Sequence, residues 1–133
     1  VLLCLVRDVQ FETDDQYSAW TFQSSSQVFR SPFYKAIMMI LSPALVTMGA
    51  AKRWGAFHKG SELVAGRVSK NGQLCSCTVV LRSPSHLFSG FVLIERQTQA
   101  FRAALTLARA KEVTIEPHQE ADGEIHFHAQ WLS

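Results

Sequence analysis

The chain is poor in the residues that staple or punctuate a fold. Of its 133 residues three are cysteine, four proline and seven glycine. An odd cysteine count, with Cys75 and Cys77 spaced i, i+2 and Cys4 far from both, excludes a disulfide framework. It implies reduced thiols in a reducing compartment, so a cytoplasmic location is expected. Charge is sparse as well. Asp, Glu, Lys and Arg make up 18% of the chain and the net charge is +2, too little to demand nucleic acid or a membrane surface. Long apolar runs are missing: the longest uncharged stretch, Ala36–Ala51, has 16 residues and includes Ser42, Pro43, Thr47 and Gly49. A spanning helix needs about 20 mostly apolar residues, so this stretch reads as core. Leu2 to Val6 is apolar but has no basic stretch before it and no small-residue cleavage site after it, so no signal peptide is expected. No repeat, low-complexity tract or linker interrupts the chain.

What is present suits one core. Hydrophobic residues make up 47%, including nine phenylalanines and three tryptophans, which excludes disorder and predicts a single globular domain over residues 1–133. Trp20, Trp54 and Trp131 are expected inside it. Charge changes along the chain in blocks. Residues 36–70 and 71–111 each carry a net +4, whereas residues 112–133 carry no Lys or Arg and five acids, Glu112, Glu116, Glu120, Asp122 and Glu124. A basic middle and an acidic end imply either a basic binding face or two halves that attract one another.

Local patterns predict the elements. Val1–Phe11 has the apolar, β-branched content of a strand, and Ser18–Gln23 with Gln27–Arg30 reads as a second, interrupted by a turn at Ser24–Ser26. Ser31–Pro32 is a helix start, because serine accepts from free N–H groups and proline at the first helical position gives up no bond. A helix over Phe33–Leu41 then kinks or restarts at Ser42–Pro43 and ends near Lys52–Arg53, with Gly55 as its left-handed cap. Asn71–Gly72 predicts a type I′ hairpin joining Leu63–Ser69 to Leu74–Arg82. Cys75, Cys77, Val79 and Leu81 line one face of the second strand. Ser83–Pro84 opens a loop that closes near Gly90. Phe91–Ile94 fits either a strand or the first turn of a helix reaching from about Arg96 to Lys111, on which Phe101, Ala104, Leu105 and Ala108 share a face. Val113–Glu116 and Glu124–Leu132 form a last hairpin, with Ile125, Phe127, Ala129 and Trp131 opposite Glu124, His126, His128 and Gln130. The expected fold is α+β: an antiparallel sheet with two main helical segments on one face and a ferredoxin-like split β-α-β unit in its middle.

Two pairs of metal-ligating residues stand out. Cys75-x-Cys77 and His126-x-His128 together would make a tetrahedral zinc set. Their strands' patterning, however, puts the thiols on an apolar side and the imidazoles on a wet one. No nucleophile elbow or phosphate-cradling glycine loop occurs. No metal, cofactor or catalytic residue is therefore expected. The methionines Met38, Met39 and Met48 in a Pro-interrupted helix leave room for a small-molecule pocket beneath the 32–54 segment.

Two stretches resemble known families. Gly55–Gly60, Gly-Ala-Phe-His-Lys-Gly, resembles the Gly-x-x-His-Gly-Gly stretch of hotdog thioesterases, with Lys59 in place of a glycine; this implies an acyl-CoA substrate near His58. Phe91-Val92-Leu93-Ile94-Glu95 with Ala100 and Ala103 resembles the third strand and second helix of an RNA-recognition motif. That implies single-stranded RNA binding, with Phe91 stacking a base and Arg82, Arg67 and Lys70 on phosphates. The leading expectation is a small binding or interaction domain without catalytic apparatus. It would act as a homo-oligomer, or with a protein or small-molecule partner, away from membranes, and its terminal strands would be sheet edges open to pairing.

Overall fold

The computed structural model describes residues 2–31, 42–57, 59–84, 90–121 and 123–133. The expected Phe33–Leu41 helix and His58 lie outside the described residues. Among the described residues, four helices and five strands follow one another as α1 (Leu2–Gln10), α2 (Asp14–Phe29), α3 (Pro43–Phe57), β1 (Glu62–Ala65), β2 (Ser69–Asn71), β3 (Leu74–Arg82), α4 (Phe91–Leu107), β4 (Lys111–Ala121) and β5 (Glu124–Leu132).

The sheet is antiparallel throughout and runs β1-β3-β5-β4, with β2 continuing the β1 edge along β3. The expected strand over Leu63–Ser69 is thus two short ones. Gly66 sits at the break, where its N–H donates to Thr78 O at 2.9 Å and an added Cβ would stand 3.1 Å from that oxygen. The hairpin expected at Asn71–Gly72 is present one residue later. Asn71 pairs with Leu74, so Gly72 and Gln73 are the turn, and only Gly72 has positive φ, the pattern of type II′. β3, α4 and β4 form a split β-α-β unit, because β5 is inserted between the parallel β3 and β4.

One face of this sheet holds the core. Cys75, Cys77, Val79 and Leu81 of β3 and Ile125, Phe127, Ala129 and Trp131 of β5 are all buried, as the alternation predicts. Burying each of the larger ones stabilises the fold by about 1.5–3 kcal/mol. Two helices cover them, α3 on the β1 side and α4 on the β4 side, as expected. Ser42 caps α3 by accepting from Leu45 N–H at 3.3 Å, with Pro43 as the first helical residue. The helix does not stop at Gly55 but continues to Phe57, and the left-handed turn falls at Gly60, φ +83°. α4 begins at Phe91, so Phe91–Ile94 is helical, and it ends at Leu107 instead of Lys111.

The first thirty residues overturn the strand expectation. Val1–Phe11 supplies α1, and Ser18–Gln23 with Gln27–Arg30 belongs to α2, whose helix runs straight through Ser24–Ser26. The physical reason lies at Thr13. Its hydroxyl accepts from Gln16 N–H at 3.2 Å while Gln16 Oε1 accepts from Glu12 N–H at 2.9 Å, a reciprocal cap strengthened by Asp14 and Asp15 in the first turn. Arg7 then ties α1 to α2 through two bonds to Asp14 Oδ1, at 2.6 and 2.8 Å. Packing completes the override. α2 stacks on α4, burying Tyr17, Thr21 and Ser26, and the Tyr17 hydroxyl donates to Val92 O at 2.9 Å. The Arg102 guanidinium lies 4.7 Å from the Phe22 ring centre. The chain therefore opens on helices, and its last strand, β5, is interior; the sheet's edges are β4 and β1–β2.

Candidate functional site

Between α3, α4 and the sheet the inner face is not completely filled. A cavity of about 30 Å³, partly open to solvent, is lined by Val46, Thr47 and Ala50 of α3, by Phe101, Ala104 and Leu105 of α4, and by strand residues such as Val79 and Ile115. Alanines at positions 50, 104 and 129 leave the space, and the Phe101 ring closes edge-on against Phe127, 5.1 Å between centres at 79°. The lining contains one polar side chain. Thr47 Oγ1 already donates to Pro43 O at 3.0 Å, so it offers little to a guest. Among the described residues, no acidic, basic or thiol side chain lines the cavity. It has room for one or two water-sized groups, far below the roughly 300–1,000 Å³ of a cofactor or drug-sized site.

The opposite face of the sheet carries the chemistry. Register places His126 beside Val80 and His118, and His128 beside Thr78 and Glu116. His126 Nε2 lies 2.7 Å from Glu124 Oε1, and Arg82 Nε donates to Glu124 Oε2 at 3.3 Å. The bonds from His126 and then from Arg82 hold the Glu124 carboxyl below its ordinary pKa. Thr78 Oγ1 and His128 Nδ1 are 3.1 Å apart, and His118 Nε2 is 3.5 Å from Glu120 Oε1. On this face Glu116, His118 and His128 are exposed, and Thr78, Val80 and His126 are half-buried. Among the described residues, no three His, Cys, Asp or Glu side chains are gathered as a metal centre.

Cys75 and Cys77 do not meet His126 and His128. The thiols are buried on the inner face, paired in register with Trp131 and Ala129, whereas the imidazoles lie on the outer face. Burial pushes the Cys77 thiol pKa up, opposed by its bond to Gly66 O at 3.3 Å. The residues expected to contact RNA are scattered too. Phe91 is in the first turn of α4, against Tyr17 at 6.4 Å, and Arg67 lies in the break between β1 and β2. Lys70 pairs with Cys75 at one end of β3 and Arg82 ends the other, seven residues or roughly 23 Å away and on the other face. Four contacts expected to share one surface thus occupy several. The motif's strand-then-helix unit is here a single helix. No protein-family model, curated protein or solved structure matches the chain.

Sequence reasoning expected a pocket beneath the 32–54 segment, but on the strength of Met48, which does not line the cavity, and of Met38 and Met39, which lie outside the described residues. It missed the outer-face pairing altogether. Cavity-lining alanines carry no chemical signature. Their only signal is helical spacing, already visible for Phe101, Ala104 and Leu105. His118 and Glu116 fall on a strand expected to end at Glu116, and their meeting with His126 and His128 depends on a register that the turn sets.

Proposed function

We propose that this chain is a non-catalytic binding domain whose ligand is a small apolar molecule, or the end of an apolar tail, seated between α3, α4 and the inner face of the sheet. The observation that carries this reading is the lining itself. Ten residues, nine of them apolar and the tenth with its hydroxyl already bonded to the backbone, offer a guest dispersion and desolvation but no group to transform it. The pocket borders α3, the described part of the 32–54 segment; Met48 is not among its lining residues. Its size favours a group of a few heavy atoms and leaves no room for a nucleotide or a whole coenzyme. Buried, unpaired thiols at Cys75 and Cys77 suit a reducing compartment such as the cytoplasm. No helix among the described residues is long and apolar enough to cross a membrane.

Thermal unfolding in a series of n-alkanols tests the reading. The shorter members raise the midpoint in proportion to the logarithm of their concentration, and Ala104→Val, which fills the cavity, removes the rise. An equal response from the native chain and the filled variant would count against it.

A second reading, self-association, has its own support. Leu45 and Met48, one helical turn apart on α3, are 51% and 49% exposed, and Val9 of α1, Val28 of α2 and Phe91 at the start of α4 are exposed too. A mass in solution of twice 14.9 kDa would favour it.

A further inference from the structure

We propose that the β4–β5 hairpin binds one divalent transition-metal ion of the zinc type on its outer face, through the imidazoles of His118 and His126. The two residues are direct cross-strand partners in register, which puts their Cβ atoms about 4.5–5.5 Å apart on the same face. Both rings point toward the turn end of the hairpin. Nε2 of His126 is 2.7 Å from Glu124 Oε1 and Nε2 of His118 is 3.5 Å from Glu120 Oε1, and these carboxylates stand at the start of β5 and near the end of β4. Two imidazoles with carboxylates beside them are the donor set that borderline divalent ions take, with water completing the shell.

The electrostatics favour a cation there. Residues 112–133 carry five acids and no Lys or Arg. Arg82 is shared between Glu124 at 3.3 Å and Glu62 at 3.9 Å. Each imidazole now turns along its own strand to a carboxylate, so the donors are not gathered on one point. His118 is 74% exposed and can swing across to His126 without losing packing, the ion taking the ring nitrogens that now face the carboxylates. His128, whose Nδ1 is held by Thr78, stands on the far side of His126 from the turn and takes no part.

The test uses the full chain without an affinity tag, stripped with chelator and titrated with zinc chloride alone. Calorimetry gives one saturable equivalent, and the ring resonances of His118 and His126 shift while those of His128 do not. His118→Ala and His126→Ala each weaken binding by at least the roughly tenfold that loss of even an outer-shell partner costs, and His128→Ala leaves it unchanged. Circular dichroism confirms that these surface variants fold. Absence of saturable binding, binding that survives in both His118→Ala and His126→Ala, or loss of binding in His128→Ala would each overturn the proposal.

Discussion

The two faces of the sheet are built by the same strands, residue by residue in alternation, and they have nothing chemical in common. Val79 faces the cavity and Val80 the water; Phe127 is buried to 1% while its neighbours His126 and His128 belong to a face of imidazoles and carboxylates. The inner face has a cavity lined by apolar residues, and its two buried thiols, Cys75 and Cys77, do not line that cavity. On the outer face Glu116, His118 and His128 are exposed.

The comparison can be broken by mutation. Phe127→Ala removes a ring packed on Phe101 and should cost about 3–5 kcal/mol in urea unfolding, whereas His128→Ala next to it should stay within about 0.5 kcal/mol. Similar costs would mean that the faces are not energetically distinct. Tyr17→Phe removes the hydroxyl that anchors α2 to Val92 O and should cost about 1 kcal/mol, without altering the sheet's amide exchange. Ala104→Val should do the reverse of a core truncation. Two added methyl groups gain roughly 0.8 kcal/mol each on burial, less about 0.6 for the β-branched residue in a helix, leaving a net gain near 1 kcal/mol. A loss instead would show that the space is already too tight to fill.

The smallest effect concerns pH. Burial raises the Cys77 thiol pKa in the folded chain, so the unfolded chain ionises first as pH rises. Stability from this group is complete below the thiol's ordinary 9.0 and is lost as pH climbs from there through the raised folded value. Cys77→Ala should flatten that alkaline decline while leaving the acid limb unchanged.

Much of the sheet was legible because its strands alternate cleanly. The buried sets Cys75–Leu81 and Ile125–Trp131 were readable from period two alone, and the turn glycine at position 72 announced the hairpin. The first thirty residues were not, although Thr13-Asp14-Asp15-Gln16 has the Ser/Thr-x-x-Glu/Gln spacing of a helix start. Ser24, Ser25 and Ser26 look like a turn in isolation, because serine competes for backbone bonds. Docking on α4 decides the matter, and that contact spans 75 residues between Tyr17 and Val92. The site was legible only in part. The thiols and imidazoles were correctly assigned to different sides, but the His118–His126 pairing required the register, and the cavity is made by what three alanines omit.

The central claim is that a guest enters the inner face and leaves the outer one untouched. Methyl-resolved NMR under xenon pressure tests it within a single spectrum. The account predicts saturable shifts for Val46, Val79 and Ile115, none for Val64 and Val80, and loss of the inner-face shifts in Ala104→Val. Shifts confined to Val64 and Val80, or none at the cavity-lining methyls, would contradict it.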